Sequence, residues 1–114
     1  MEDKIVKTSE ISIKVGTNEN NVPVRMLWDA KDGGVEKQEA SAMFLSLWDP
    51  KDKNTMRIDL WTKDMSVEEM KQFFHQTLLT MADNFEKATG EKNICEDLRD
   101  YCLHFADKME IVAE

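Results

Sequence analysis

Glycine is scarce in this chain, with four residues in 114, at positions 16, 33, 34 and 90. That spacing supplies neither G-x-G-x-x-G nor G-x-x-x-x-G-K-[ST], so no loop is built to cradle a phosphate. Histidine is scarcer still, since His75 and His104 are the whole complement, and neither belongs to an H-E-x-x-H pattern. The two cysteines, Cys95 and Cys102, lack C-x-x-C spacing. Seven residues of helix separate them by about 10 Å along the axis, beyond the roughly 7 Å a disulfide allows. Two unpaired thiols on an apolar stripe suit a reducing compartment. No apolar run approaches the roughly 18 residues of a membrane-spanning helix, which excludes direct membrane insertion by a helix. Met1 to Lys7 shows no apolar core and no cleavage site of a signal peptide, so a cytoplasmic location is expected. Positive charge is also short: 15 basic against 23 acidic side chains leave a formal net charge of −8. Neither nucleic acid nor an anionic lipid surface is an expected partner of such a chain.

What is present is concentrated between Thr55 and Gly90. Met56, Ile58 and Leu60 alternate with Arg57, Asp59 and Trp61, the period of a strand with two differently dressed faces. Ser66 and Glu69 then form an S-x-x-E capping box, with Met65 and Met70 spaced as a hydrophobic staple. Val67, Met70, Phe73, Phe74, Thr77, Leu78, Met81, Phe85 and Ala88 fall on one face at 100° per residue, and Gly90 is placed to close the helix. A long amphipathic helix with both ends marked is therefore expected.

The remainder reads in order as a frayed start over residues 1–8, a strand at Ile11 to Val15, turn formers from Gly16 to Asn21, and a return strand from Val22 to Ala30. Residues 31–39, holding Gly33 and Gly34, are expected to be a mobile loop. Ala40 to Trp48 is apolar on both faces, which predicts a central strand. Asn93 and Glu96 suggest a second capping box, followed by a stripe of Ile94, Cys95, Leu98, Tyr101, Cys102, Phe105, Met109 and Val112. The expected fold is α+β in a single domain: a four-stranded antiparallel sheet followed by two C-terminal helices packed on one of its faces. Helices on the side of Ile11, Ile13, Val15, Met26, Met43, Leu45, Leu47, Met56, Ile58 and Leu60 would leave Leu27, Phe44, Trp48, Arg57 and Trp61 on the other. Aromatic side chains with an arginine are enriched at protein interfaces, so these five are the candidate partner-binding residues. The partner is a protein or a second copy of the chain.

Chemistry is harder to find. Asp49, Asp52 and Asn54 lack the spacing of a calcium loop, and an ordinary turn explains them. Asp59, Asp64 and His75 are the acid/base candidates of an alternative reading, a small hydrolase or ligand-binding domain. No metal or cofactor is expected.

The stretch Asn54-Thr-Met-Arg-Ile-Asp-Leu-Trp-Thr-Lys-Asp-Met65, continuing through Val67-Glu-Glu-Met-Lys71 and His75-Gln-Thr-Leu78, resembles the gliding-motility GldC family of gliding bacteria. Asn20-Asn-Val-Pro23, Trp28-Asp-Ala30, Leu45-Ser-Leu-Trp-Asp49 and Ala88-Thr-Gly90 fit the same family. The family pattern carries leucine at the position of Met56 and proline at that of Ser66. This resemblance implies a small cytoplasmic accessory protein of the gliding apparatus, associated with envelope and secretion components, and it implies no catalytic activity. Four antiparallel strands followed by two helices in an acidic chain are also similar to the SecB export chaperone, a likeness of fold order that implies an oligomeric holdase or adaptor.

Overall fold

The computed structural model describes residues 3–111. These form two compact units, Met1–Met65 and Ser66–Glu114. The first is all strand. β1 (Ser12–Thr17), β2 (Pro23–Ala30) and β3 (Val35–Ala40) make an antiparallel sheet in the order β1-β2-β3, and β4 (Ala42–Asp49) and β5 (Asn54–Trp61) make a separate antiparallel ribbon. The single four-stranded sheet expected from the sequence is thus replaced by sheets of three and two strands. The reason lies in residues 31–39. Expected as a mobile loop, they fold as a 3-10 turn at Lys31–Gly33 and then as β3, which pairs along the edge of β2 and leaves the segment expected as a central strand to pair with β5 alone. β3 reads Val-Glu-Lys-Gln-Glu-Ala, a charged edge strand of the kind that resists further pairing and shows little apolar alternation.

Turn chemistry sets both hairpins. Asn18 Oδ1 accepts from the amides of Asn20 and Val22 at 2.9 and 3.1 Å, and Asn21 takes the left-handed conformation at φ 61°. In the β4–β5 turn Asp49 Oδ1 accepts from the Lys51 amide at 2.9 Å, and Lys53 has φ 52°. The residues that resembled a calcium loop therefore fold a turn. A third side-chain contact, Asp29 Oδ1 with the Lys37 amide at 2.9 Å, lies beside the register shift between Trp28 and Ala30. Two hydrogen bonds tie the ribbon to neighbouring strands: the Thr62 amide donates to the Ser41 carbonyl at 2.8 Å and the Lys63 amide to the Pro23 carbonyl at 3.0 Å. Thr62 is buried, and Met26, in the central strand β2, is 1% exposed.

The second unit is an antiparallel helical hairpin of α1 (Val67–Thr89) and α2 (Lys92–Lys108). The Ser66–Glu69 capping box is present in both directions, and Gly90 closes α1 at φ 75° with its amide on the Glu86 carbonyl. α2 begins earlier than the sequence suggested. Its N-cap is Glu91, with no side-chain cap bond, so Asn93 and Glu96 lie inside the first turns and form no capping box. Val112 is outside the described residues.

The face along which the helices meet is not the predicted stripe of α1. Ala82 is 0% exposed, His75 Nε2 is 3.1 Å from the Cys102 carbonyl oxygen, and the His75 ring stacks on Phe105 at 6.1 Å. Arg99 bridges Asp83 and Glu86, each at 2.9 Å. His75, Leu79, Ala82 and Glu86 therefore define the α2-facing side, with Cys95, Arg99 and Cys102 opposite. Val67, Phe74, Met81 and Phe85, placed on the predicted buried stripe, are exposed.

Candidate interaction surface

The ribbon's two faces follow from its register. Met43 pairs with Leu60, Leu45 with Ile58 and Leu47 with Met56, so one face is apolar at every rung. The other carries Ala42 opposite Trp61, Phe44 opposite Asp59, Ser46 opposite Arg57 and Trp48 opposite Thr55. Sequence alternation assigned both faces correctly, because side-chain direction in a strand is fixed by the period of two. Leu47, Met56 and Ile58 are each more than half exposed.

On the aromatic face Trp48 is 63% and Trp61 52% exposed. They stand at opposite ends of the ribbon, six rungs apart in register, which is about 20 Å at the rise of a strand. Between them Phe44 is half-buried, and Arg57 Nη2 reaches Asp59 Oδ1 along the same strand at 3.1 Å. That ion pair is partly exposed and contributes about 0–1 kcal/mol at most. Its consequence is orientation: the guanidinium lies along β5 between the tryptophans. Of the five candidate contact residues, then, the structure gathers four on one ribbon face. Leu27 is elsewhere. It sits in β2, paired with Lys14 and Glu39, and is half-buried in the wall of an open groove of about 710 Å³. The groove is lined by Lys14, Lys31 and Lys37 together with Asp29, Asp32 and Glu36. Both signs of charge line it, and Asp32 is engaged by Ser9 and Lys7.

The catalytic alternative finds its residues already employed. Asp59 holds Arg57, Asp64 accepts from Thr62 Oγ1 at 2.6 Å, and His75 is bound within the helical hairpin. Among the described residues no group of three or more histidine, cysteine, aspartate or glutamate side chains is placed to hold a metal ion. Cys95 and Cys102 are buried free thiols. Burial pushes the Cys102 thiol up; burial, with Glu86 next, does the same at Cys95. Both are thus held in the weakly nucleophilic protonated form. Arg99 is shifted up by its hydrogen bonds to Asp83 and Glu86, and stays cationic. The signal missed in the sequence was small: Ala82 and Leu79 follow His75 at helical spacing, one short residue between larger ones, as close helix approach requires.

Fold and surface together define an α+β protein of two units that presents aromatic and apolar side chains on a two-stranded ribbon. Among its described residues no helix is long and apolar enough to cross a membrane. The chain belongs to the family of gliding motility-associated GldC-like proteins, whose family model matches residues 23–111, from the first residue of β2 to beyond α2. No curated protein and no solved structure matches it.

Proposed function

We propose that this gliding motility-associated chain works without catalysis, as a cytoplasmic accessory component whose ribbon binds another protein of the motility or secretion machinery. The observation that carries this reading is the aromatic ribbon face. Trp48 and Trp61 remain more than half exposed while flanking a fixed Arg57–Asp59 pair, and large aromatic rings with an arginine are the side chains that most often dominate binding energy. Phe44 belongs to the same contact, and Leu27, on the other sheet, supplies a separate one. Two tryptophans some 20 Å apart suit an extended partner segment lying along the ribbon better than a small molecule, which needs a concave site.

The experiment is replacement of the chromosomal copy in the native bacterium by Trp48→Ala, Trp61→Ala and the double variant, scored for gliding and for protein level. Loss of gliding at an unchanged level supports contact through this face. Normal gliding by the double variant overturns it. A holdase role of the SecB kind is a second reading, favoured by the apolar face at Leu47, Met56 and Ile58. It is tested by suppression of aggregation of a denatured client, which Leu47→Glu and Met56→Glu would abolish.

A further inference from the structure

The helical hairpin has a second apolar side that its own helix pairing does not use. Taking the α2-facing residues His75, Ala82 and Glu86 as the reference line, Met81 and Phe85 lie about 100° away around α1 at 100° per residue. Relative to Cys95 and Cys102, Ile94 and Tyr101 lie about 100° away around α2. The helices run antiparallel, as the His75–Cys102 and Asp83–Arg99 contacts require, so these offsets, equal in sense along each chain, bring both stripes to the same side of the hairpin. Met81, Phe85, Ile94 and Tyr101 are each about half exposed. The opposite side takes the charge. Residues 66–114 hold eleven acidic and five basic side chains, a net of −6, and Glu69, Glu96, Asp100 and Asp107 all fall on the side away from the apolar one.

We propose that this side is a self-association interface, in which α2 of one copy lies antiparallel against α2 of a second about a two-fold axis that crosses beside Tyr101, at the level of the Cys102–Leu103 peptide. Two observations select a second copy as the occupant. The first is charge. Asp97 and Lys108 border the apolar stripe of α2 on its outer edge, equally far on either side of that axis, and among the described residues neither enters an ion pair. A two-fold axis places Asp97 of each copy opposite Lys108 of its mate, the reciprocity an isologous contact demands. The second is area. Four large side chains exposing roughly 100 Å² each, half the area such residues bury, give about 400 Å² of apolar surface. At the usual interface composition of about 57% apolar this corresponds to about 700 Å² per copy, near the size of a stable dimer.

This assignment is independent of the ribbon's proposed role, and the test separates them. Light scattering and sedimentation on the full chain at tens of micromolar should give twice the 13.2 kDa chain mass. Asp97→Lys alone and Lys108→Asp alone should each weaken the dimer at least about tenfold, and the double exchange should return the dissociation constant to within about threefold of the parent. Both positions are exposed, and circular dichroism verifies that each variant keeps its helices. Trp48→Ala should leave the dimer intact. A monomeric parent, single variants that dimerise as the parent does, a double exchange that fails to restore, or dissociation by Trp48→Ala would each overturn the assignment.

Discussion

Replacing Ala82 by leucine tests the helix pairing. Ala82 is 0% exposed on the side of α1 that meets α2, between His75 and Glu86. Alanine and leucine have nearly equal helix propensity, so the substitution leaves the isolated helix almost unchanged and acts through packing. Three added carbons have no space in a fully enclosed position, and the helices must separate or the side chains must leave their preferred rotamers. Overpacking of this kind lowers stability by about 1–3 kcal/mol. A chain of this length has on the order of 6–17 kcal/mol in total, so the variant should remain folded. In urea, with a slope of about 1–3 kcal/mol per molar, the midpoint should fall by roughly 1 M. Ala88→Leu, at an exposed position of the same helix, is the control and should stay within about 0.5 kcal/mol of the parent. Equal midpoints for Ala82→Leu and Ala88→Leu in urea melts followed at 222 nm would refute the pairing described above.

Removing the α1 cap by Ser66→Ala should lower stability by about 1 kcal/mol, read as a matching drop in the urea midpoint, because Ser66 Oγ accepts from the Glu69 amide at 3.0 Å. His75→Ala removes both a hydrogen bond to the Cys102 carbonyl and the stack on Phe105, and thermal melts should show a loss of about 1–3 kcal/mol. The thiols set an alkaline limit: their folded pKa values are raised above the unfolded ones. Their contribution is therefore complete below the unfolded value and disappears as pH rises through the folded value, so the melting temperature should fall above about pH 8.5. It should fall less in Cys102→Ala. Ellman's reagent at pH 8 should leave both thiols of the native chain unmodified and titrate both in urea.

The elements with local signals were readable from the sequence. The Ser66–Glu69 box and Gly90 bound α1 because capping is decided by residues within one turn. Strand faces in β4 and β5 were readable because alternation needs no knowledge of neighbours. Strand partners were not. Whether Ala40 to Trp48 pairs with β2 is decided by β3, whose Glu36, Lys37 and Glu39 disguise an edge strand as a loop. The α2-facing side of α1 carried no such signal. Apolar periodicity locates the most hydrophobic side of α1, whereas its α2-facing side is chosen by the small Ala82 and by the polar contacts of His75 and Arg99. Trp48, Arg57 and Trp61 were legible as surface candidates, since aromatic residues on the more polar face of a strand stand out by composition. Leu27 was grouped with them only on the premise of one continuous sheet.

The aromatic ribbon face carries the proposed function, and photo-crosslinking in gliding cells tests it most directly. A photoreactive amino acid at position 48 or 61 should give a discrete adduct with a component of the motility or secretion machinery, while the same group at Leu47 or Met56, on the reverse face, should not. Adducts from positions 47 and 56 alone, with none from 48 and 61, would contradict contact through the aromatic face.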